Sequence, residues 1–288
     1  MTSNEQVLDA ALTAAAASAD NRRALTIDGR TLSYLDFGGT GRPLLAVHGG
    51  LSEGLLYADL AARLGPDWRV IAPDQRGHGD SDRASAQDRA GYVADLVALL
   101  EHLGLGPLPV IGHSLGGMNA FHLAAERPDL VSALVNIDAG VVFPQDAPNP
   151  VAFLAPVPYT APTREELIAA CGELGPMVAP ALRPLPDGTG WRLPFHPQDT
   201  LATVEAARGD HWQTWLASTC PALLVHGRRS EAVPQELADA MVAARPKTSY
   251  AGLETGHVVP VEDPVGLAAA VGNFLKCLRG APAGTRKS

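Results

Sequence analysis

Gly112-His113-Ser114-Leu115-Gly116 sets a serine between two glycines, directly after the apolar run LPVI and at the start of the helical stretch LGGMNAFHLAAERP. A serine hydroxyl is a weak nucleophile until a neighbouring base takes its proton. On a tight strand-to-helix turn, the glycines permit the strained backbone that lifts Ser114 Oγ clear, and the helix N-terminus points amide groups at the same place. The chemistry such a serine would do is attack on a carbonyl carbon. The plainer alternative, a serine that only caps the helix, leaves both glycines to packing alone.

The base this requires is His257, in LETGHVVPVEDP, after the run TSYAGL and before the last helical stretch. The chain has nine histidines, so position and not mere presence singles this one out. A loop leaving the last strand reaches across the carboxyl ends of a parallel sheet, where ligands bind in open α/β folds. The near-neutral pKa of an imidazole suits a group that takes a proton from Ser114 and returns it to a leaving group. His113, beside the nucleophile, reads as structural.

The elements that must hold these residues are visible as apolar runs ending in Gly-rich or polar turns: PLLAVHGG, WRVIAPDQRG, LPVIGHSLGG, VSALVNIDAG and PALLVHGRR. Continuous rather than alternating apolarity is what a strand buried on both faces requires. Helical patterns lie between the runs, at 55–64, 92–103, 115–127, 236–244 and 264–278. Strand and helix alternate after a hairpin-like opening, LTIDG then RTLSYLDFG, which predicts a doubly wound α/β fold with a mostly parallel sheet.

One stretch breaks the rhythm. Residues 141–211 are rich in proline (PQDAPNP, APVPYTAPT, RPLPDG, RLPFHP) and show helical fragments such as REELIAACGEL but no clear buried strand. So long a structureless loop is improbable in a compact domain, so an inserted, mostly helical lid is expected there. The expected organisation is a helical extension over 1–24, a core made of 25–140 and 212–279, the lid between, and a flexible tail over 280–288. Phe153, Leu154, Trp191, Phe195, Trp212 and Trp215 would give the lid and its exit an apolar wall, either toward a ligand or toward the core.

Composition narrows the partners. With 288 residues and 46% hydrophobic content the chain can bury a sizeable core. Its net charge of −9 disfavours nucleic acid and anionic membrane surfaces, both of which reward a basic patch. No run of about 18 apolar residues predicts a membrane span, and the N-terminal segment carries acids where a signal peptide needs bases. The three cysteines are scattered, fitting neither a disulfide framework nor a metal site, so a reducing, cytoplasmic setting is expected.

The order HGG, DQRGHGDSD, GHSLGG and GHVVPVEDP resembles the α/β-hydrolase superfamily, in particular its esterase and lactone-hydrolase-like branch. The resemblance implies an eight-stranded sheet, no metal or organic cofactor, and an oxyanion hole formed by the backbone N–H groups of Gly50 and Leu115. It also implies that 74–79 brace the site. A third triad member, a carboxylate that orients the histidine, is required. The family usually carries it about three residues past Gly227, where this chain has Ser230; Glu231 follows and has the reach. Other branches carry it at the end of the strand after the nucleophile helix, where this chain has Asp138. Asp138 is favoured, with Glu231 left open. Relatives such as epoxide hydrolases and haloalkane dehalogenases need a carboxylate nucleophile, which Ser114 excludes. The expected substrate is a small-molecule ester or lactone with an apolar body. C–C bond hydrolysis or a lyase reaction on the same residues is the alternative, and a non-catalytic ligand receptor a more distant one.

Overall fold

Alternate residues of the central strands face opposite ways, and both sets are apolar. Leu45 and Val47 join one core with Val110, Leu134 and Leu224, whereas Leu44 and Ala46 join a second with Ile111, Val135 and Leu223. A strand walled in on both faces has no polar positions to alternate, which is why these runs are continuous in sequence. The computed structural model describes residues 21–280.

The strands are β1 (Arg22–Ile27), β2 (Arg30–Asp36), β3 (Arg42–Val47), β4 (Trp68–Pro73), β5 (Leu108–His113), β6 (Val131–Ile137), β7 (Ala222–Gly227) and β8 (Thr248–Leu253). They form one eight-stranded sheet in the order β1-β2-β4-β3-β5-β6-β7-β8. β1 pairs with β2, and β2 with β4, antiparallel. The remaining neighbours run parallel. The main helices are α1 (Ala58–Leu64), α2 (Arg89–His102), α3 (Leu115–Glu126), α4 (Arg164–Ala170), α5 (Pro197–Ala206), α6 (Trp212–Ala217), α7 (Gln235–Ala244) and α8 (Pro264–Gly280). α1 and α8 cover one face through Leu60, Leu267, Val271 and Leu275. α2, α3 and α7 cover the other through Leu96, Leu99, Phe121 and Met241. Each such large side chain contributes about 1.5–3 kcal/mol by leaving water.

Between β6 and β7 the chain leaves the sheet and returns. Val142–Phe143 pairs antiparallel with Gly209–Asp210, so exit and re-entry lie side by side. The segment they enclose has its own apolar cluster, including Leu154, Leu167, Leu193 and Phe195. It also holds a ladder of three two-residue strands, Thr160–Ala161, Trp191–Arg192 and Arg183–Pro184, which a helical expectation missed because so short a strand leaves no periodicity to read. Ion pairs tie it down: Arg192 to Asp80 at 2.5 Å, Arg83 to Asp199 at 2.6 Å, and Arg183 to the buried Glu53.

The expected extension over 1–24 runs too far, because β1 already begins at Arg22 and pairs with β2. The rest of that segment lies outside the described residues. So do residues 281–288 of the expected tail, while Gly280 belongs to α8. Among the described residues no helix is long and apolar enough to cross a membrane.

Candidate active site

Ser114 stands alone between β5 and α3 at φ 52° and ψ −117°, a conformation that costs a non-glycine residue on the order of 1–3 kcal/mol. The surroundings enforce it. Ser114 N–H donates to the Ile137 carbonyl at 3.0 Å. A Cβ on Gly116 would lie 2.1 Å from the Val47 carbonyl oxygen, and one on Gly112 would lie 2.2 Å from that of Gly116. Only glycine at both positions lets β3, β5 and α3 approach closely enough to make the turn.

His257, in the loop after β8, places Nε2 2.9 Å from Ser114 Oγ and Nδ1 2.7 Å from Asp138 Oδ2. Asp138 is 1% exposed, and its carboxylate can only accept, so Nδ1 carries the proton and Nε2 is left to accept from the Ser114 hydroxyl. Asp138 follows β6 at φ 49°. Its N–H donates to the Val225 carbonyl at 2.8 Å, and its Oδ1 accepts from Gly227 N–H at 3.0 Å. Both β6 and β7 therefore hold this carboxylate in place. Glu231, the other candidate acid, is exposed, and the structure does not bring it to the imidazole. Asp138 already occupies Nδ1, and the loop after β7 presents Ser230 inward instead, its Oγ donating to Asp138 Oδ2 at 2.5 Å.

Two further histidines are architectural. His113 donates from Nε2 to the His257 carbonyl at 2.8 Å, and burial pushes its pKa down to about 4. His48 donates from Nδ1 to the Gly49 carbonyl at 2.7 Å and accepts at Nε2 from Gln75 N–H at 2.9 Å. Burial, with the adjacent His78, pushes His48 down to about 3. Gln75 also donates to the His48 carbonyl, at 2.6 Å, so the 74–79 turn clamps the 48–50 loop. That loop presses on the elbow: a Cβ on Gly49 would lie 3.3 Å from Ser114 Cβ. Gly50 and Leu115 face the same cavity as Ser114. Leu115 opens α3, so its amide has no acceptor within the helix.

The cavity encloses about 610 Å³ and is bounded mainly by apolar side chains from the core and the insertion, among them Leu55, Met118, Val151 and Val204. Of the six large apolar residues expected as a wall, only Phe153 lines it. Leu154, Trp191 and Phe195 pack inside the insertion, and Trp212 and Trp215 against the main core. Phe143, which sequence did not single out, lines the cavity, and so does Arg89.

The pattern of the chain matches the family model described as alpha/beta hydrolase fold over residues 42–264. The chain belongs to the alpha/beta hydrolase fold family. This hydrolase is 34% identical over 244 residues to the lipase LipV of Mycobacterium tuberculosis, covering 79% of this chain and 91% of that one. The crystal structure of an E-2-(acetamidomethylene)succinate hydrolase resembles it with a TM-score of 0.73 at 26% identity, over 88% of this chain and 98% of the other. A thermophilic esterase from Thermogutta terrifontis resembles it with a TM-score of 0.69 at 25% identity, over 89% and 98%. Lipase- and esterase-like relatives thus align along most of this alpha/beta hydrolase.

Proposed function

We propose that this chain is a serine hydrolase that cleaves a carboxylic ester or lactone through an acyl-enzyme. The observation that carries this reading is the unbroken hydrogen-bonded chain from Ser114 Oγ through His257 to the buried carboxylate of Asp138. Ser114 Oγ attacks the carbonyl carbon as its proton passes to His257 Nε2. The carbonyl oxygen becomes an oxyanion facing the amides of Gly50 and Leu115, and one such donor is worth about 2.7–4 kcal/mol in the transition state. Asp138 stabilises the imidazolium that forms. As the tetrahedral intermediate collapses, the bond to the alcohol oxygen breaks and Nε2 returns the proton to it. Water, activated by the same imidazole, then releases the acid and restores Ser114. The mainly apolar cavity favours a substrate whose body is largely hydrocarbon.

The test is proton release in a pH-stat over short esters, aryl esters and small and macrocyclic lactones, with wild type beside Ser114→Ala. Release by wild type that disappears in the variant is the expected result. Silence of folded wild type across the panel, or release that survives in Ser114→Ala, would overturn the proposal.

A further inference from the structure

We infer that Arg89 is the anchor for a carboxylate carried by the substrate, so that the cavity accepts molecules with an acid group set apart from the carbonyl that Ser114 attacks. The inference rests on the proposed hydrolysis at Ser114 for where the reacting bond sits.

Arg89 is the first residue of α2 and lines the same cavity as Ser114. Its guanidinium makes one hydrogen bond, from Nη1 to the Asn119 side-chain carbonyl on α3, and its Cζ lies 5.6 Å from the centroid of the Tyr92 ring. Nε and Nη2 are buried from solvent and have no hydrogen-bond partner among the described residues. Burying donors of a charged group without acceptors is strongly unfavourable, so a side chain kept in this state calls for an acceptor supplied from elsewhere. Desolvation pushes the Arg89 pKa down to about 10, which leaves it charged at neutral pH.

The nearest carboxylate in sequence is already committed. Asp88 accepts from Gly91 N–H at 2.8 Å and caps α2. His122, which feels the Arg89 charge, is pushed down to about 3, with burial as the main cause, and brings no second positive charge to that end.

The two unpartnered nitrogens are not an arbitrary pair. Nε and Nη2 form one edge of the guanidinium fork, and elsewhere in this protein that edge grips carboxylates. Arg83 holds both oxygens of Asp199 through Nε at 2.7 Å and Nη2 at 2.6 Å. Arg127 holds both oxygens of Asp129 through the same atoms at 2.9 and 2.8 Å. In Arg89 this edge has no partner among the described residues and is closed to solvent, so the side chain must turn toward the cavity that it lines to meet a ligand. The matching group is then a carboxylate bound side-on by two parallel N–H···O bonds. An apolar chamber with a nucleophile and one buried guanidinium would bind a hydrocarbon chain between a scissile ester and an acid terminus.

The experiment is calorimetric binding to folded Ser114→Ala of monomethyl and dimethyl esters of linear dicarboxylic acids of increasing length. At the length that spans the cavity, the half-ester should bind about tenfold or more tightly than the diester, a difference of about 1.4 kcal/mol or more. Adding Arg89→Met should remove that preference, and Arg89→Lys, a point charge without the fork, should keep only part of it. No length at which the half-ester binds more tightly, or a preference that survives Arg89→Met, would overturn the inference. Should Arg89→Met fail to fold, Arg89→Lys decides: a reduced preference there supports the inference, and an undiminished one would overturn it. No bond is cleaved in these measurements, so their failure leaves the proposed hydrolysis standing, and a failure of hydrolysis leaves the binding preference measurable.

Discussion

Ser230 Oγ donates to Oδ2 of Asp138, the same oxygen that accepts from His257 Nδ1. The carboxylate thus comes from the end of β6, while the loop after β7 supplies a hydroxyl that helps to hold it. Replacing Asp138 by Asn keeps the shape but offers His257 the wrong partner. Asp138→Asn is expected to lower kcat by about 10⁴-fold, the scale seen when a triad acid is made neutral. Glu231→Gln should stay within about twofold, as befits an exposed surface change. Steady-state hydrolysis of an aryl ester by both variants is the check, and a collapse confined to Glu231→Gln would refute the assignment of Asp138.

Because Ser230 and Asp138 touch, a carboxylate placed at 230 begins next to the position it has to fill. Asp138→Asn combined with Ser230→Asp should recover at least about tenfold in kcat over Asp138→Asn alone, since the imidazolium regains a counter-charge. A double variant no faster than the single would mean that the loop after β7 orients its side chain for the hydroxyl only.

The elbow glycines make a prediction about stability. Gly116→Ala and Gly112→Ala each force a methyl group against a backbone carbonyl oxygen, at 2.1 and 2.2 Å. Each should cost about 3 kcal/mol, the upper end for overpacking against a partner that cannot rotate away. Gly272 offers the contrast. It lies within α8, where an added Cβ meets nothing closer than Leu64 Cδ2 at 3.8 Å. Gly272→Ala should therefore stabilise, by up to about 1 kcal/mol, through helix propensity. Urea midpoints of the three variants test both signs.

Acid should unfold the protein through its buried histidines. His48 and His113 are held neutral, pushed down to about 3 and about 4 from an ordinary 6.5. Above pH 6.5 neither the folded nor the unfolded chain protonates them, and the stability is intact. As pH falls below 6.5, the unfolded chain gains a proton at each site and the folded chain does not, so stability declines until the folded values are reached. Each histidine contributes a slope of about 1.4 kcal/mol per pH unit in that window. Denaturant melts between pH 7 and 4 should show the decline, and His113→Gln should flatten it. An unchanged slope in that variant would mean that His113 titrates normally in the folded state.

The sheet was legible because its strands are buried on both sides and so carry unbroken apolar runs, and the elbow because its glycines and serine sit where one run ends and a helix begins. The carboxylate that meets His257 was only half legible. Asp138 and Glu231 each follow a strand, and which of them turns inward depends on Asp138 adopting φ 49° and being held by β7, neither of which is written in local sequence. Arg89 was not legible at all. The periodic pattern places the start of α2 near Tyr92, whereas Asp88 caps the helix and begins it at Arg89. The partner of that guanidinium, Asn119 on α3, lies 30 residues further along the chain.

The pairing of Val142–Phe143 with Gly209–Asp210 makes the insertion a closed loop as seen from the sheet, entering and leaving at one point. The entropy of closing a loop grows only with the logarithm of its length, so doubling the segment would cost the scaffold about 0.6 kcal/mol. A single-residue slip of β6 against β7, by contrast, would carry Asp138 away from His257. The roof of the chamber can therefore be lengthened, shortened or exchanged as a cassette while the floor that holds Ser114, His257 and Asp138 stays in register.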